Sequence, residues 1–181
     1  MPLDRVSPGD KAPDEFNVIV EIPMNSDPVK YEFDEETGTM FVDRFMTTAM
    51  YYPANYGYVP QTLAGDGDPV DVLVVTPYPL QSGVGVTCRA VGMLKMEDEA
   101  GIDCKVLAVP VTRVLPMYSH WKDVEDVNPM RLNAISHFFQ HYKDLEQNKW
   151  AKVLGWEGVA AAHREVSDGI AAYQKMSAQE S

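Results

Sequence analysis

The chain has 181 residues, the size of one domain with a core of its own. Hydrophobic residues make up 45% and charged residues 23%, which excludes a wholly disordered chain. Lys and Arg number 15 against 27 Asp and Glu, a formal net charge of −12. That balance excludes the basic footprint of a duplex nucleic-acid binder and the attraction to anionic lipid, so neither nucleic acid nor membrane is expected as a partner.

In chain order, Ser7 to Phe16 reads as a loop or a short helix, with nothing to decide between them. Val18 to Ile22 is a short apolar run of strand type. Val29 to Phe33 alternates, with Val29, Tyr31 and Phe33 on one face and Lys30 and Glu32 on the other. Met40 to Phe45 is the next strand. Tyr51 to Tyr58 has too many Pro, Gly and Asn for a helix and reads as an aromatic loop. Val70 to Thr76, Val86 to Met96 and Cys104 to Val109 complete the predicted strands. Asn128-Pro129 is a helix start signal, followed by Leu132, Ile135, Phe138, Phe139 and Tyr142 at helical spacing. A second helix is predicted from Gly158 to Met176.

No repeat interrupts this order, so residues 1–181 read as a single domain. Strands followed by helices predict an α+β, mainly β fold, a small barrel with helices against it. Cys88 and Cys104 are too few for a disulfide framework and read as reduced core thiols. The first residues lack a signal-peptide pattern, and the uncharged stretch from Val72 to Cys88 is broken by Pro77, Pro79, Gly83 and Gly85. A cytoplasmic location is the expectation.

The stretch Asp66-Gly67-Asp68-Pro69-Val70-Asp71-Val72 sets three aspartates at a turn running into a strand. It fits either a solvated acidic turn or a hard divalent-cation site with oxygen ligands. A helix–loop–helix calcium site is excluded, because its sixth position would be Asp71 rather than Gly and its twelfth Pro77 rather than Glu. Glu97, Asp98, Glu99 and Asp103 form a second acidic group. Lys105 shares a face with Asp103 if the chain is extended there.

Lys30, Arg44 and Lys105 fall on predicted strands, and Lys143 at a helix end. Tyr51, Tyr52, Tyr56 and Tyr58 are either core aromatics or phenol donors for phosphate oxygens. His137 and His141 have a spacing that suits zinc, without a His-Glu-x-x-His pattern, and read as a surface or subunit-interface pair. No nucleophile motif, phosphate-binding glycine loop or dinucleotide fingerprint is present.

These residues resemble the family I soluble inorganic pyrophosphatases of the compact bacterial type. The stretch from Asp66 to Val72 fits that family's signature at every position. The likeness runs from about Asp14 to Trp156 and includes Glu21, Lys30-Tyr31-Glu32, Asp43-Arg44, Tyr52 to Gly57, Asp98-Glu99, Asp103-Cys104-Lys105 and His141 to Glu146. It implies an OB-like five-stranded β-barrel with flanking helices, two of them long and in the C-terminal third. It implies Mg²⁺-dependent hydrolysis of pyrophosphate to two phosphates by a metal-activated water, with no covalent intermediate. Several Mg²⁺ ions per site are implied, held by Asp66, Asp71, Asp98 and Asp103. Asp68 would be the general base. Lys30, Arg44, Tyr56, Lys105, Tyr142 and Lys143 would grip the phosphoryl groups. Glu21 and Glu32 would hold waters on the metals or orient Lys30, and Tyr52 belongs to the supporting set. A homohexamer is implied as well.

Overall fold

The computed structural model describes residues 5–34 and 36–179. Its strands are β1 (Phe16–Ile22), β2 (Val29–Asp34), β3 (Thr39–Phe45), β4 (Asn55–Tyr58), β5 (Asp71–Val74), β6 (Gly85–Asp98), β7 (Gly101–Pro110) and β8 (Ala151–Glu157). The helices are α1 (Pro129–His141) and α2 (Val159–Gln179). Residues 7–15 are turns and bends rather than a helix.

Strand order is β1-β4-β5-β7-β6-β8, and β1 also pairs with β6. That extra pairing closes five strands, β1, β4, β5, β7 and β6, into a ring, as in an OB-like barrel. The length of β6 makes this possible. Residues 85–88 pair with β1, while 93–98 pair with β8 beyond a bulge between Ala90 and Gly92. β2 and β3 form a separate hairpin.

Alternation along β5 divides the core in two. Leu73 and Val75 pack with Leu94, Leu107, Ile135, Phe138 and Phe139, beside α1. Val70, Val72 and Val74 pack with Val106, Ala108, Ala162 and Val166, beside α2. The Asn128 side chain accepts from the Met130 N–H at 2.9 Å and caps α1, as the Asn-Pro signal predicts.

Two strands depart from the sequence reading. Residues 55–58, expected within a loop, are β4, paired with both β1 and β5. The cause is long-range packing. Buried Asn55 donates to the Val74 carbonyl and the Thr76 hydroxyl and accepts from the Met24 and Leu80 N–H groups. At Gly57 an added Cβ would lie 2.0 Å from the Ile19 carbonyl oxygen, so only glycine lets β1 approach β4. The edge strand β8 had no predicted counterpart. Cys88 is fully buried and Cys104 partly so, both as free thiols.

Candidate active site

The site lies where β5 and β7 run in parallel, with Asp71 paired to Lys105. Asp103 precedes Lys105 by two residues, so both side chains leave one face of β7. Lys105 Nζ donates to Asp71 Oδ2 at 2.8 Å and to the two Asp103 oxygens at 3.1 and 3.0 Å. It is 5.3 Å from the ring centres of both Tyr56 and Phe139. Burial alone would make this ammonium easier to deprotonate, but Asp71 and Asp103 outweigh it and hold Lys105 charged.

The Asp66–Asp68 turn leads into β5. Gly67 has φ +94°, a conformation that favours glycine. The Asp66 carboxylate accepts from the Asp68 N–H at 3.1 Å, and the Ala64 N–H donates to the Asp68 carbonyl at 2.7 Å. These bonds leave the Asp68 side chain free to project. Burial and the charges of Asp66 and Asp71 push its carboxyl above the ordinary aspartate value.

The β6–β7 turn and the residues after α1 supply the opposite wall. Lys143 Nζ donates to Asp98 at 2.8 Å and to Glu99 at 3.3 Å. Burial would raise Asp98, but Lys143, the Ala100 N–H and the charge of Lys105 bring it below its usual value. Burial holds Tyr142 protonated, along with Tyr52 and Tyr56, so all three remain hydroxyl donors. From the β2–β3 hairpin come Lys30 and Arg44, which face each other across the ladder. Lys30 lies 3.2 Å from Asp43 and 3.8 Å from Glu32.

Every residue to which the family resemblance assigns a site role lines one of two adjoining cavities. The first, about 220 Å³, is lined by Lys30, Arg44, Tyr52, Tyr56, Asp66, Asp68, Asp71, Asp98, Asp103, Lys105, Tyr142 and Lys143. The second, about 240 Å³, adds Glu21 and Glu32 and shares Lys30, Tyr56, Asp68 and Asp71 with the first. Phe139 forms part of the first cavity's lining, which helical spacing alone marked only as core. Tyr51 stays outside and is exposed. So do His137 and His141, whose rings are 4.7 Å apart, with His141 bound to Asp144 at 2.8 Å.

Glu21 accepts from the Phe33 N–H at 3.0 Å rather than from Lys30. Burial, with the charges of Asp71 and Glu32, pushes its carboxyl up to about 7. An acid raised on folding weakens the fold as pH climbs from its unfolded value towards 7, and the full penalty remains above 7. Glu21→Gln keeps the acceptor oxygen and removes the charge. The metal-free variant is expected to be more stable than wild type at pH 8, by up to about 3 kcal/mol. The gain should vanish near pH 4. Denaturant melts at the two pH values check this, and an equal difference at both would contradict the assignment.

Oxygen donors alone line the first cavity among these metal-ligating side chains; no His or Cys reaches it. That donor chemistry fits a hard divalent cation. Among the described residues, however, no three His, Cys, Asp or Glu side chains converge into a ready-made cage. Lys105 stands between Asp71 and Asp103 instead.

Acidic oxygens, buried ammonium groups and phenol donors around so small a space suit a compact polyanion together with cations. Comparison with known proteins gives the family. The inorganic pyrophosphatase family model matches residues 18–174. The inorganic pyrophosphatase of Ralstonia nicotianae is 58% identical over 175 residues, 97% of this chain and all of that one. The structure of an inorganic pyrophosphatase from Coxiella burnetii is 57% identical, with TM-score 0.90 over 93% of this chain and 99% of that one. That of the Thermus thermophilus inorganic pyrophosphatase is 43% identical, with TM-score 0.91 over 96% and 99%. The chain belongs to the inorganic pyrophosphatase family, hydrolases of the phosphoanhydride bond in pyrophosphate.

Proposed function

We propose that this chain, working as one domain over residues 1–181, hydrolyses pyrophosphate to two phosphates with Mg²⁺ by direct attack of water. The observation that carries the reading is the meeting of Asp66, Asp68, Asp71, Asp98 and Asp103 with Lys30, Arg44, Lys105 and Lys143 in one cavity. Asp66, Asp71, Asp98 and Asp103 would hold the cations. Bound Mg²⁺ would supply charge neutralisation for a polyanion and acidify water near pH 7.

The chain's own groups do the rest. Asp68, whose carboxylate has no hydrogen-bond or ion-pair partner among the described residues and is raised above the usual aspartate value, accepts the proton of the attacking water at a carboxylate oxygen. Lys30, Arg44, Lys105 and Lys143 bind phosphoryl oxygens and stabilise the charge that develops on the leaving phosphate. Tyr56 and Tyr142 donate their hydroxyl protons to the same oxygens. Glu21 and Glu32 order water in the adjoining cavity, and Tyr52 backs Tyr56 with ring centres 5.4 Å apart. No side chain forms a covalent bond with phosphorus, in keeping with the absence of a nucleophile motif.

Asp71→Asn tests the metal half of this reading. The variant is expected to need at least about tenfold more Mg²⁺ for half-maximal phosphate release, besides being slower. Mg²⁺ titration curves that overlay those of wild type would remove Asp71 from the metal set.

The same reading takes the chain as a cytoplasmic homohexamer that binds neither nucleic acid nor membrane. Its support is the net charge of −12, the absence among the described residues of a helix long and apolar enough to cross a membrane, and the exposed His137–His141 pair on α1. Sedimentation showing only monomer would overturn the assembly.

A further inference from the structure

Arg44 enters the cavity from β3, yet its guanidinium is held from a distant part of the chain. Arg44 Nη1 donates to Glu146 Oε2 at 3.1 Å, across 102 residues of sequence. Glu146 follows α1 and is largely buried. Its Oε2 also lies 3.2 Å from Lys149 Nζ. A guanidinium facing a carboxylate ordinarily closes two parallel hydrogen bonds. Here only one forms, and both Arg44 Nε and Glu146 Oε1 stay buried without a hydrogen-bond partner. Asp43 does not fill the gap, since its nearest oxygen is 3.9 Å from Nε. Buried unsatisfied atoms on both partners are costly and uncommon in a pair selected for stability alone.

We propose that Glu146 is a positioning residue for the phosphoryl-binding Arg44. It grips one terminal nitrogen and fixes the plane of the guanidinium at the cavity wall, leaving Nη2 for phosphate oxygens. Lys149 shares the Glu146 carboxylate and keeps it from neutralising Arg44 fully. The pairing thus trades a closed fork for an oriented cation. This inference rests on the pyrophosphatase reading, because it gives the oriented cation a phosphoryl group to bind.

The test is a double-variant cycle of Glu146→Ala with Arg44→Ala, read as KM and kcat for pyrophosphate and as the Kd of inorganic phosphate by calorimetry. Glu146→Ala alone is expected to raise KM and the phosphate Kd about tenfold, with a smaller change in kcat. In the Arg44→Ala background it should change neither affinity. Glu146→Gln, which keeps one acceptor oxygen, should fall between wild type and Glu146→Ala, and it serves in the cycle if the alanine variant does not fold. Additive losses in the double variant, or an unchanged phosphate Kd in Glu146→Ala, would overturn the assignment. Failure of the wild type to hydrolyse pyrophosphate would overturn the activity instead, while the phosphate cycle would still report the coupling.

Discussion

Asp68→Asn is expected to lower kcat by about 100-fold or more while the protein stays folded. The substitution exchanges one oxygen for an amide nitrogen in an exposed turn. The hydrogen bonds of that turn use the Asp68 N–H and carbonyl, which Asn retains. Among the described residues the Asp68 carboxylate makes no hydrogen bond or ion pair, so its loss removes no structural contact. What disappears is a proton acceptor whose pKa is raised by burial and by Asp66 and Asp71. The same shift sets the pH dependence. Wild-type rate should fall as pH drops through the raised value, because the protonated carboxyl cannot accept. That acid limb should be missing from the variant's residual activity. A variant with near-normal rate would remove Asp68 from the base role.

Lys105→Met should cost the metal-free fold about 3 kcal/mol or more. Lys105 is 2% exposed and lies within 3.1 Å of oxygens from two carboxylates. Methionine fills much of the same volume beside Phe139 and Tyr56 but supplies no charge. Asp71 and Asp103 are then left facing each other in a partly buried site, where burial already raises Asp103. The sign with pH follows from linkage. Acids raised in the folded variant lose stability as pH rises, so the deficit should be small near pH 4 and full at pH 8. A divalent cation can take the place of the ammonium, so millimolar Mg²⁺ should restore much of the loss by mass action. Thermal melts at the two pH values, with Mg²⁺ or EDTA, decide this. A deficit independent of both pH and Mg²⁺ would mean that Lys105 acts through packing alone.

The acidic stretches of this site were legible in the sequence as candidates, because their residues are concentrated in short runs, whereas the roles of Lys30, Arg44, Tyr142 and Lys143 came from the family resemblance and from no local signal. The alternation of Asp with Gly and Pro from Asp66 to Asp71 marked a turn entering a strand, and Asp103 with Lys105 marked one strand face. The parallel register that brings Asp71 onto Lys105 was not legible, since it depends on the path of the chain between β5 and β7. Neither was the Arg44–Glu146 contact, which joins the hairpin to the residues after α1. β4 escaped because its four residues include Asn and Gly, which locally favour turns. Burial of the Asn55 amide and the close approach at Gly57 override that preference. β8 escaped for a related reason. It is an edge strand interrupted by Gly155 at φ +140°, where a register shift opposite Lys95 and Met96 spoils the alternation.

The most direct test of the central claim is phosphate release from pyrophosphate by the wild-type protein, with Mg²⁺ and again after EDTA. The account predicts fast release that stops on chelation and resumes when Mg²⁺ is restored. A well-folded protein that releases no phosphate with Mg²⁺ present, or releases it equally in EDTA, would contradict it.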